Sequence, residues 1–376
     1  MVNFSPSLAG VPVVLTAGEI QLNKVTVLGS GANEITISGN NASRIFFIAS
    51  GAGATIVGVT LTGGNGVGAG SQPGGGAIRA EGALTLISTH LTGNSLATGE
   101  GSGVFYAGGG VIRNSTFSNN SGTAVSALQS LAISAQNSTI TGSGSFDMHF
   151  IGTNVSIRNC TFTGRTLIGG LSGLQSGNSI IGTVTRASML SGFNSLGNNI
   201  IISPDTTGNQ IIYHGTDKLN MNPQLEFLGY YGGHIQLLAL SPSSPAIDAG
   251  SNTIAVNAGL ATDQRLYARI VDGDDKDTIA TVDIGAYEAN AAPVSPIIFG
   301  GRVIDTASNG VGRATVRITD SEGFSQTVIT SPFGFYNFTN VHAGNILVEV
   351  SAKRHRYNPT VLFATENTTN ADLMVN

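Results

Sequence analysis

The chain has 376 residues, 17 Lys+Arg against 22 Asp+Glu, and a net charge of −5. Charged residues make up only 10%, too few and too acidic in balance to bind nucleic acid by neutralising phosphates. The 41% of hydrophobic residues argues against a disordered chain. Glycine is plentiful at 52 residues, Trp is absent and aromatics are 6%, so a core has to be built from Val, Ile, Leu and Ala. No apolar run reaches the ~18 residues of a membrane span. Met1-Val2-Asn3-Phe4 lacks the charged and apolar regions of a signal peptide, and the abrupt start reads as that of a trimmed, longer chain. The single Cys160 excludes an internal disulfide and a cysteine zinc cage. Set among Ser and Thr, it reads as a small buried hydrophobe.

In chain order, residues before about 25 read as an N-terminal cap. A loose repeat, Val25–Gly39, comes next. Five clearer copies follow at Ala54–Gly64, Leu84–Asn94, Gly110–Asn120, Leu131–Ser143 and Val155–Gly164, with a later one at Asn178–Gly182. Their matching apolar positions are Leu61, Leu91, Phe117, Ile140 and Phe162, spaced 30, 26, 23 and 22 residues apart. Glycine-rich insertions such as Gly63–Gly76 lengthen the wider spacings. Segments this short cannot bury a face alone, and stacking them gives one continuous core. Alternation puts Val, Ile and Leu inward and Thr, Ser and Asn outward, while Gly and Asn at the corners permit positive φ. β-Branched residues and glycine dominate, which favours an all-β right-handed parallel β-helix, a solenoid, over a leucine-rich repeat. This body is expected to fill residues 1–288, with an irregular C-terminal cap over about 190–288. A small, Pro-containing linker follows at 289–296. In residues 297–376, Ile297–Val303, Ala314–Thr319, Thr327–Thr330, Tyr336–Phe338 and Ile346–Ser351 read as short strands between turn signals, a small antiparallel β-sandwich.

Gly74-Gly75-Gly76-Ala77-Ile78 and Ser115-Thr116-Phe117-Ser118-Asn119-Asn120 resemble the right-handed parallel β-helix repeats of polymorphic outer-membrane-type bacterial proteins. The series Asn222-Pro223, Gly232-Gly233-His234, Ser244-Pro245-Ala246-Ile247-Asp248-Ala249-Gly250, Thr262-Asp263-Gln264-Arg265 and Asp283-Ile284-Gly285-Ala286-Tyr287-Glu288 resembles the choice-of-anchor Q β-helix proteins. A Cys-Ser-Leu-Arg-Glu-Ala element often found upstream in those proteins is missing. Gly300-Gly301-Arg302-Val303, Gly312-Arg313-Ala314-Thr315-Val316, Ser331-Pro332-Phe333-Gly334-Phe335-Tyr336-Asn337-Phe338 and Val341-His342-Ala343-Gly344 resemble the carboxypeptidase regulatory-like, transthyretin-like domain. That resemblance implies a non-catalytic accessory module. Both kinds of family occur in secreted multidomain proteins, which implies an extracellular or cell-surface location.

For chemistry, Asp272, Asp274, Asp275 and Asp277 crowd one glycine-containing turn with Asp283 beyond. Such oxygen-rich, flexible ligands suit calcium; a solvated acidic turn is the alternative. Asp248, Asp263, Arg265 and Asp283 invite a catalytic reading. An Arg–carboxylate pair satisfying buried polar groups is the simpler one. Arg113 and Arg158 occupy equivalent repeat positions, where they line one face in reach of an acidic glycan or form a solvated strand edge. Between residues 30 and 200 the only acids are Glu34, Glu81, Glu100 and Asp147, a poor supply for a glycoside hydrolase or lyase. His90 replaces a repeat Thr and reads as outward-facing or at a corner. Lys353-Arg354-His355-Arg356-Tyr357 is the one basic cluster and reads as a solvated strand end. The sequence thus points to an exported bacterial surface or extracellular protein, structural or adhesive. Its partner would be a glycan or cell-surface protein, with no nucleic acid and no membrane span. A secreted polysaccharide-degrading enzyme and a self-associating filament or matrix subunit are the alternatives. A bare Thr/Ser/Asn face would favour adhesion, and a cluster of acids and bases on a solvent-facing sheet would favour the enzyme.

Overall fold

The computed structural model describes residues 2–68, 74–96, 99–129, 131–170, 172–186, 192–205, 211–273, 278–294, 296–320, 325–353, 355, 357, 359–364 and 366–375. The chain divides into two compact units, Val2–Ala291 and Ala292–Asn376. It is all-β apart from short helical segments, with long parallel sheets in the first unit and mainly antiparallel ones in the second.

In the first unit, three short strands make one turn, and each strand pairs in parallel with its counterpart a turn later. One turn comprises Gly53–Val57, Thr60–Thr62 and Ile78–Ala80, and the next comprises Ala83–Ile87, His90–Thr92 and Val104–Tyr106. Three parallel ladders result. We call them first, second and third after the order of their strands within a turn. The arrangement is consistent with a parallel β-helix.

Register fixes the core. The repeat positions Leu61, Leu91, Phe117, Ile140 and Phe162 stand in direct line, and the line runs on through Ile181 and Ile201. All seven are buried. Packing also explains a glycine. Gly110 sits in a first-ladder row between Leu84 and Ile133, and a Cβ there would lie 2.3 Å from the buried ring of Tyr106. Tyr106 fills the space that a larger neighbour would take.

The corner between the first and second ladders is left-handed at turn after turn. Gly58, Ser88, Asn114, Asn137, Asn159, Asn178 and Asn198 all have φ between 44° and 62°, a region that Gly and Asn enter at least cost. The residue after the corner stitches turns together. Ser115 Oγ accepts from Thr89 N (3.1 Å), Ser138 Oγ from Ser115 N (3.2 Å) and Ser179 Oγ from Cys160 N (3.2 Å). Each hydroxyl donates to the carbonyl two residues back, and Cys160 Sγ does the same to Arg158 O (3.3 Å). Cys160 is therefore buried, as its setting predicted, and stands in a serine file. Burial pushes its thiol up to about 12.

The sequence predicts an N-terminal cap before about residue 25 and an irregular C-terminal cap over about 190–288; the structure shows paired strands in both stretches. Val2–Asn3, Val13–Val14 and Ile20–Leu22 are already parallel-paired to the next turn. Regular pairing also continues past residue 190 through Gly192–Gly197, Ile200–Ser203, Ile211–Ile212 and Lys218–Leu219. These last turns replace apolar core residues with polar ones. Asp217 Oδ1 accepts from Ser195 Oγ (2.9 Å) and from Asn199 N and Nδ2 (both 3.0 Å), which hides the repeat from a hydrophobic pattern. Residues 225–289 then run back along the side of the stack as a strap. The strap carries the antiparallel pair Leu225–Gly229 and Leu237–Leu240 and one short helix, Asn252–Asn257.

In the second unit, Ile297–Ile304 pairs with Phe335–Val341 and Leu373–Met374. Thr315–Thr319 pairs with Ser325–Ile329 and Gly344–Ser351, and the latter with Thr360–Ala364. Buried residues from both sheets form one cluster, including Phe299, Val316, Phe338 and Val348. The five expected strands are all present, and two more follow them.

Ser138→Ala leaves the buried Ser115 N–H without its partner and should cost about 1–3 kcal/mol in urea denaturation. Cys160→Ser installs the residue that its file uses elsewhere and should leave the midpoint unchanged. An equal loss in both variants would contradict the stitching role.

Candidate functional site

Each ladder has an outward row, and the three rows differ in what covers them. The second ladder's row runs Thr36, Thr60, His90, Thr116, Thr139, Thr161, Ile180 and Ile200. His90 thus replaces a repeat threonine, as its position predicted. The row is not a bare polar face, because the strap lies on it and Thr116, Thr139 and Thr161 are buried. Thr116 Oγ1 donates to Gln236 O (2.5 Å), Thr139 Oγ1 donates to Gln264 Oε1 (2.6 Å), and Thr161 Oγ1 accepts from Ala286 N (3.0 Å). The corner asparagines hold the strap's edge. Asn137, Asn178 and Asn198 donate side-chain N–H to the carbonyls of Thr262 (2.7 Å), Ser251 (2.9 Å) and Ala249 (2.9 Å), and the Asn159 carboxamide oxygen accepts from Arg269 Nε (3.3 Å). Under its cover His90 is buried, which pushes its pKa down to about 4.

The acidic and basic residues of the strap stabilise it from inside. Asp263 is fully buried and accepts from Arg265 N and Nε (both 2.8 Å), Tyr267 N (3.1 Å) and Glu288 N (3.1 Å). The Arg265 guanidinium lies 4.4 Å and 3.9 Å from the ring centroids of Tyr267 and Tyr287. The two residues are paired as expected, in a turn and not on a strand. Arg269, also fully buried, donates to the carbonyls of Asp283 (3.3 Å) and Gly285 and lies 3.8 Å from Glu288. Burial pushes Glu288 up to about 9 and Asp283 to about 6, against the opposing pull of Arg269. Asp248 accepts from Gly273 N at 3.0 and 2.9 Å. Together these side chains form a buried network within the strap.

Of the calcium candidates, Asp274, Asp275 and Asp277 lie outside the described residues. Asp283 aims its two oxygens at Asp248 N (2.8 Å) and Ala289 N (2.6 Å) within the buried network. Among the described residues no group of three or more His, Cys, Asp or Glu side chains has a metal-binding arrangement. In the basic cluster, Arg354 and Arg356 also lie outside the described residues.

The third ladder's row brings Arg79, Phe105, Ser126 and His149 into register. Arg79 pairs with Glu81 (3.0 Å) and lies over Phe105 at 4.7 Å. Glu100 accepts from Ser126 Oγ (2.9 Å) and faces His149 Nδ1. Burial raises the Glu100 pKa, but the bonds from His149 and Ser126 outweigh it and hold the carboxylate below its usual value. A nucleophilic triad places the imidazole between hydroxyl and carboxylate. Here the carboxylate stands between the other two, and Ser126 is fully buried. Sequence reasoning noted Glu100 only as one of four scarce acids and could not bring it together with His149 and Ser126. Nor could it find Arg44, which pairs with Glu19 (2.7 Å) and donates to Gly66 O, Gly74 O and Gly75 O across the glycine-rich insertion.

The first ladder carries an open trough of about 620 Å³ on its outward face. Its floor is the row Val111, Ser134, Ser156, Gln175, Asn194 and Ile212. At ~4.8 Å per strand this row extends about 24 Å. Among the described residues that line it, none is titratable.

The second unit contributes its own likeness. Residues 299–375 match the family model of the carboxypeptidase regulatory-like domain. Within this domain the Asp320 carboxylate accepts from His342 N (3.0 Å) and contacts its Nδ1 (2.7 Å), so the Val341-His342-Ala343-Gly344 motif ties one sheet strand to the turn after another. No curated protein and no solved structure matches the chain. Among the described residues no helix is long and apolar enough to cross a membrane.

Unfolded carboxyls titrate near 4, so the raised Asp283 and Glu288 hold protons that unfolding releases. Stability should therefore fall as pH rises through about 6 towards about 9. Melting scans of wild type and Glu288→Gln check this, since the variant should lose the decline above pH 6. A wild-type melting temperature that rises over that interval would refute the assignment.

Proposed function

We propose that the protein is an exported bacterial surface or extracellular binding protein. In this reading the stack is a right-handed β-helix of the choice-of-anchor Q and polymorphic outer-membrane-like type. Its partner is an extended polymer, a glycan above all, laid along the first ladder. The observation that carries the reading is the trough, long, shallow and floored by Ser134, Ser156, Gln175 and Asn194 without an ionisable group. Extended chains suit such a surface because successive strands present like positions at a constant spacing. The Thr/Asn face first expected to do this lies under the strap, so the binding role moves to the first ladder. The carboxypeptidase regulatory-like domain acts as the accessory module. Calcium binding by Asp272, Asp274, Asp275 and Asp277 is a separate proposal. A calorimetric titration with heat and a raised melting temperature would support it, and the lack of both would reject it.

A second reading, a polysaccharide-degrading enzyme, is favoured by one observation. Glu100, His149, Arg79 and Glu81 bring acids and bases to one outward row.

Native affinity electrophoresis through neutral and acidic polysaccharides, with released reducing ends assayed in the same lanes, separates the two. Retardation of wild type without new ends is expected. Ser156→Trp should weaken it at least tenfold at an unchanged melting temperature. New ends that disappear in Glu100→Gln would replace binding by catalysis.

A further inference from the structure

We propose that the trough takes an acidic polysaccharide, with the row Arg113–Gln136–Arg158 along its border pairing with carboxylate or sulfate groups of the polymer. The inference rests on the trough being the binding site and names its ligand class.

Three observations lead there. The first is placement. Arg113, Gln136 and Arg158 are partners in successive first-ladder strands. Each lies two residues beyond a trough-floor position, Val111, Ser134 and Ser156. Residues two apart on a strand share a face, so the row borders the trough on the same outward side.

The second is charge. The ten first-ladder strands contain no Asp, Glu, Lys or His, and Arg113 and Arg158 are their only charged residues. On a protein of net charge −5, the face that holds the trough is thus wholly cationic in its strands. Two cations are too few for a nucleic acid and suit a polymer with spaced charges. Two strand intervals separate them by about 9.6 Å, comparable to a disaccharide in an extended chain.

The third is how the guanidiniums are held. Arg113 Nε and NH2 both donate to Gln136 Oε1 (3.1 and 2.7 Å), and Gln136 Nε2 donates to Ala258 O (3.3 Å). Arg158 donates to Ile157 O (2.8 Å), Gln175 O (3.1 Å) and Gln175 Oε1 (2.6 Å). These acceptors are neutral amides. Those of Arg158 fix its fork without cancelling its charge, which preorganises it for a planar anionic group. Partial burial lowers the pKa of both guanidiniums, and an incoming anion would offset that loss of solvation.

The test is biolayer interferometry with immobilised hyaluronan, polygalacturonate and neutral dextran. Wild type should bind the acidic polymers above dextran, and rising NaCl should weaken that binding as screening increases. Arg158→Gln should weaken acidic-polymer binding about fivefold, the scale of one partly exposed ion pair. Arg158→Lys should retain most of it, and melting scans show whether both variants are folded. Binding of dextran equal to that of the acidic polymers, with Arg158→Gln indifferent and Ser156→Trp inactive, would overturn the charge inference and leave the trough reading standing. Acidic-polymer binding that survives Ser156→Trp would place the site elsewhere and overturn both, as would the absence of binding to any of the three.

Discussion

From Gly58 to Asn198, each turn of the stack passes through a left-handed backbone corner between its first two strands. A residue with a Cβ pays for that conformation unless its side chain can compensate. Gly58 avoids the cost, and from Asn114 to Asn198 asparagine accepts it at φ of 44–53°. The choice has a consequence that glycine could not supply. A file of asparagines places carboxamides at one-strand intervals along an edge of the stack. Three of them, Asn137, Asn178 and Asn198, spend their N–H groups on strap carbonyls, and Asn159 accepts from the strap's Arg269. The device that lets the chain turn also decides which side of the stack is covered.

Covering that side has an electrostatic cost. The strap is a loop-rich segment lying over a face of hydroxyls, and its polar groups must be satisfied in place. Gln264 does this directly, donating to Ser115 O and Thr116 Oγ1 and accepting from Thr139 Oγ1. Deeper in, two arginines and three carboxylates are buried with few solvent contacts, and ion pairs of this kind are weak sources of net stability. Their value is geometric. Asp263 collects four backbone and side-chain donors from residues 265, 267 and 288, which fixes a turn that has neither helix nor sheet to hold it. A catalytic pair would need to face a space where substrate could sit, and this one faces the protein.

How much of this is legible in the sequence depends on whether side chains or backbone do the recognising. The inward row Leu61 to Phe162 is a side-chain pattern, and it can be read with the correct alignment between turns. Cys160 can be read for the same reason, as one member of a file of Ser and Thr. The strap cannot, because the asparagines grip its carbonyls, and every residue has a carbonyl. A fainter signal does exist. The outward row changes from Thr161 to Ile180 and Ile200 where Leu240, Ala246 and Ile284 of the strap pack on it. Two adjacent apolar residues, Ile180 and Ile181, therefore mark a strand buried on both faces. In the same way, the polar interior around Ser195, Asn199 and Asp217 conceals the last turns from a hydrophobic pattern. Asp283 belongs by spacing to an acidic loop and by structure to the buried network, a distinction that only the folded chain draws.

The three outward rows then divide the labour. The strap buries the middle of the second, and in the third Arg79, Phe105, Ser126 and His149 are each less than a tenth exposed. The first ladder keeps Asn194 exposed and Ser134, Ser156 and Gln175 half-buried. A parallel sheet covered on its outer face reads as continuous apolar strands. The first-ladder strands instead alternate, with small polar residues outside and Ile, Val and Leu inside. That alternation is the sequence's own statement that this face meets water or a hydrated ligand. Among the described residues, the middle of the first ladder is thus the outward row that the rest of the unit covers least.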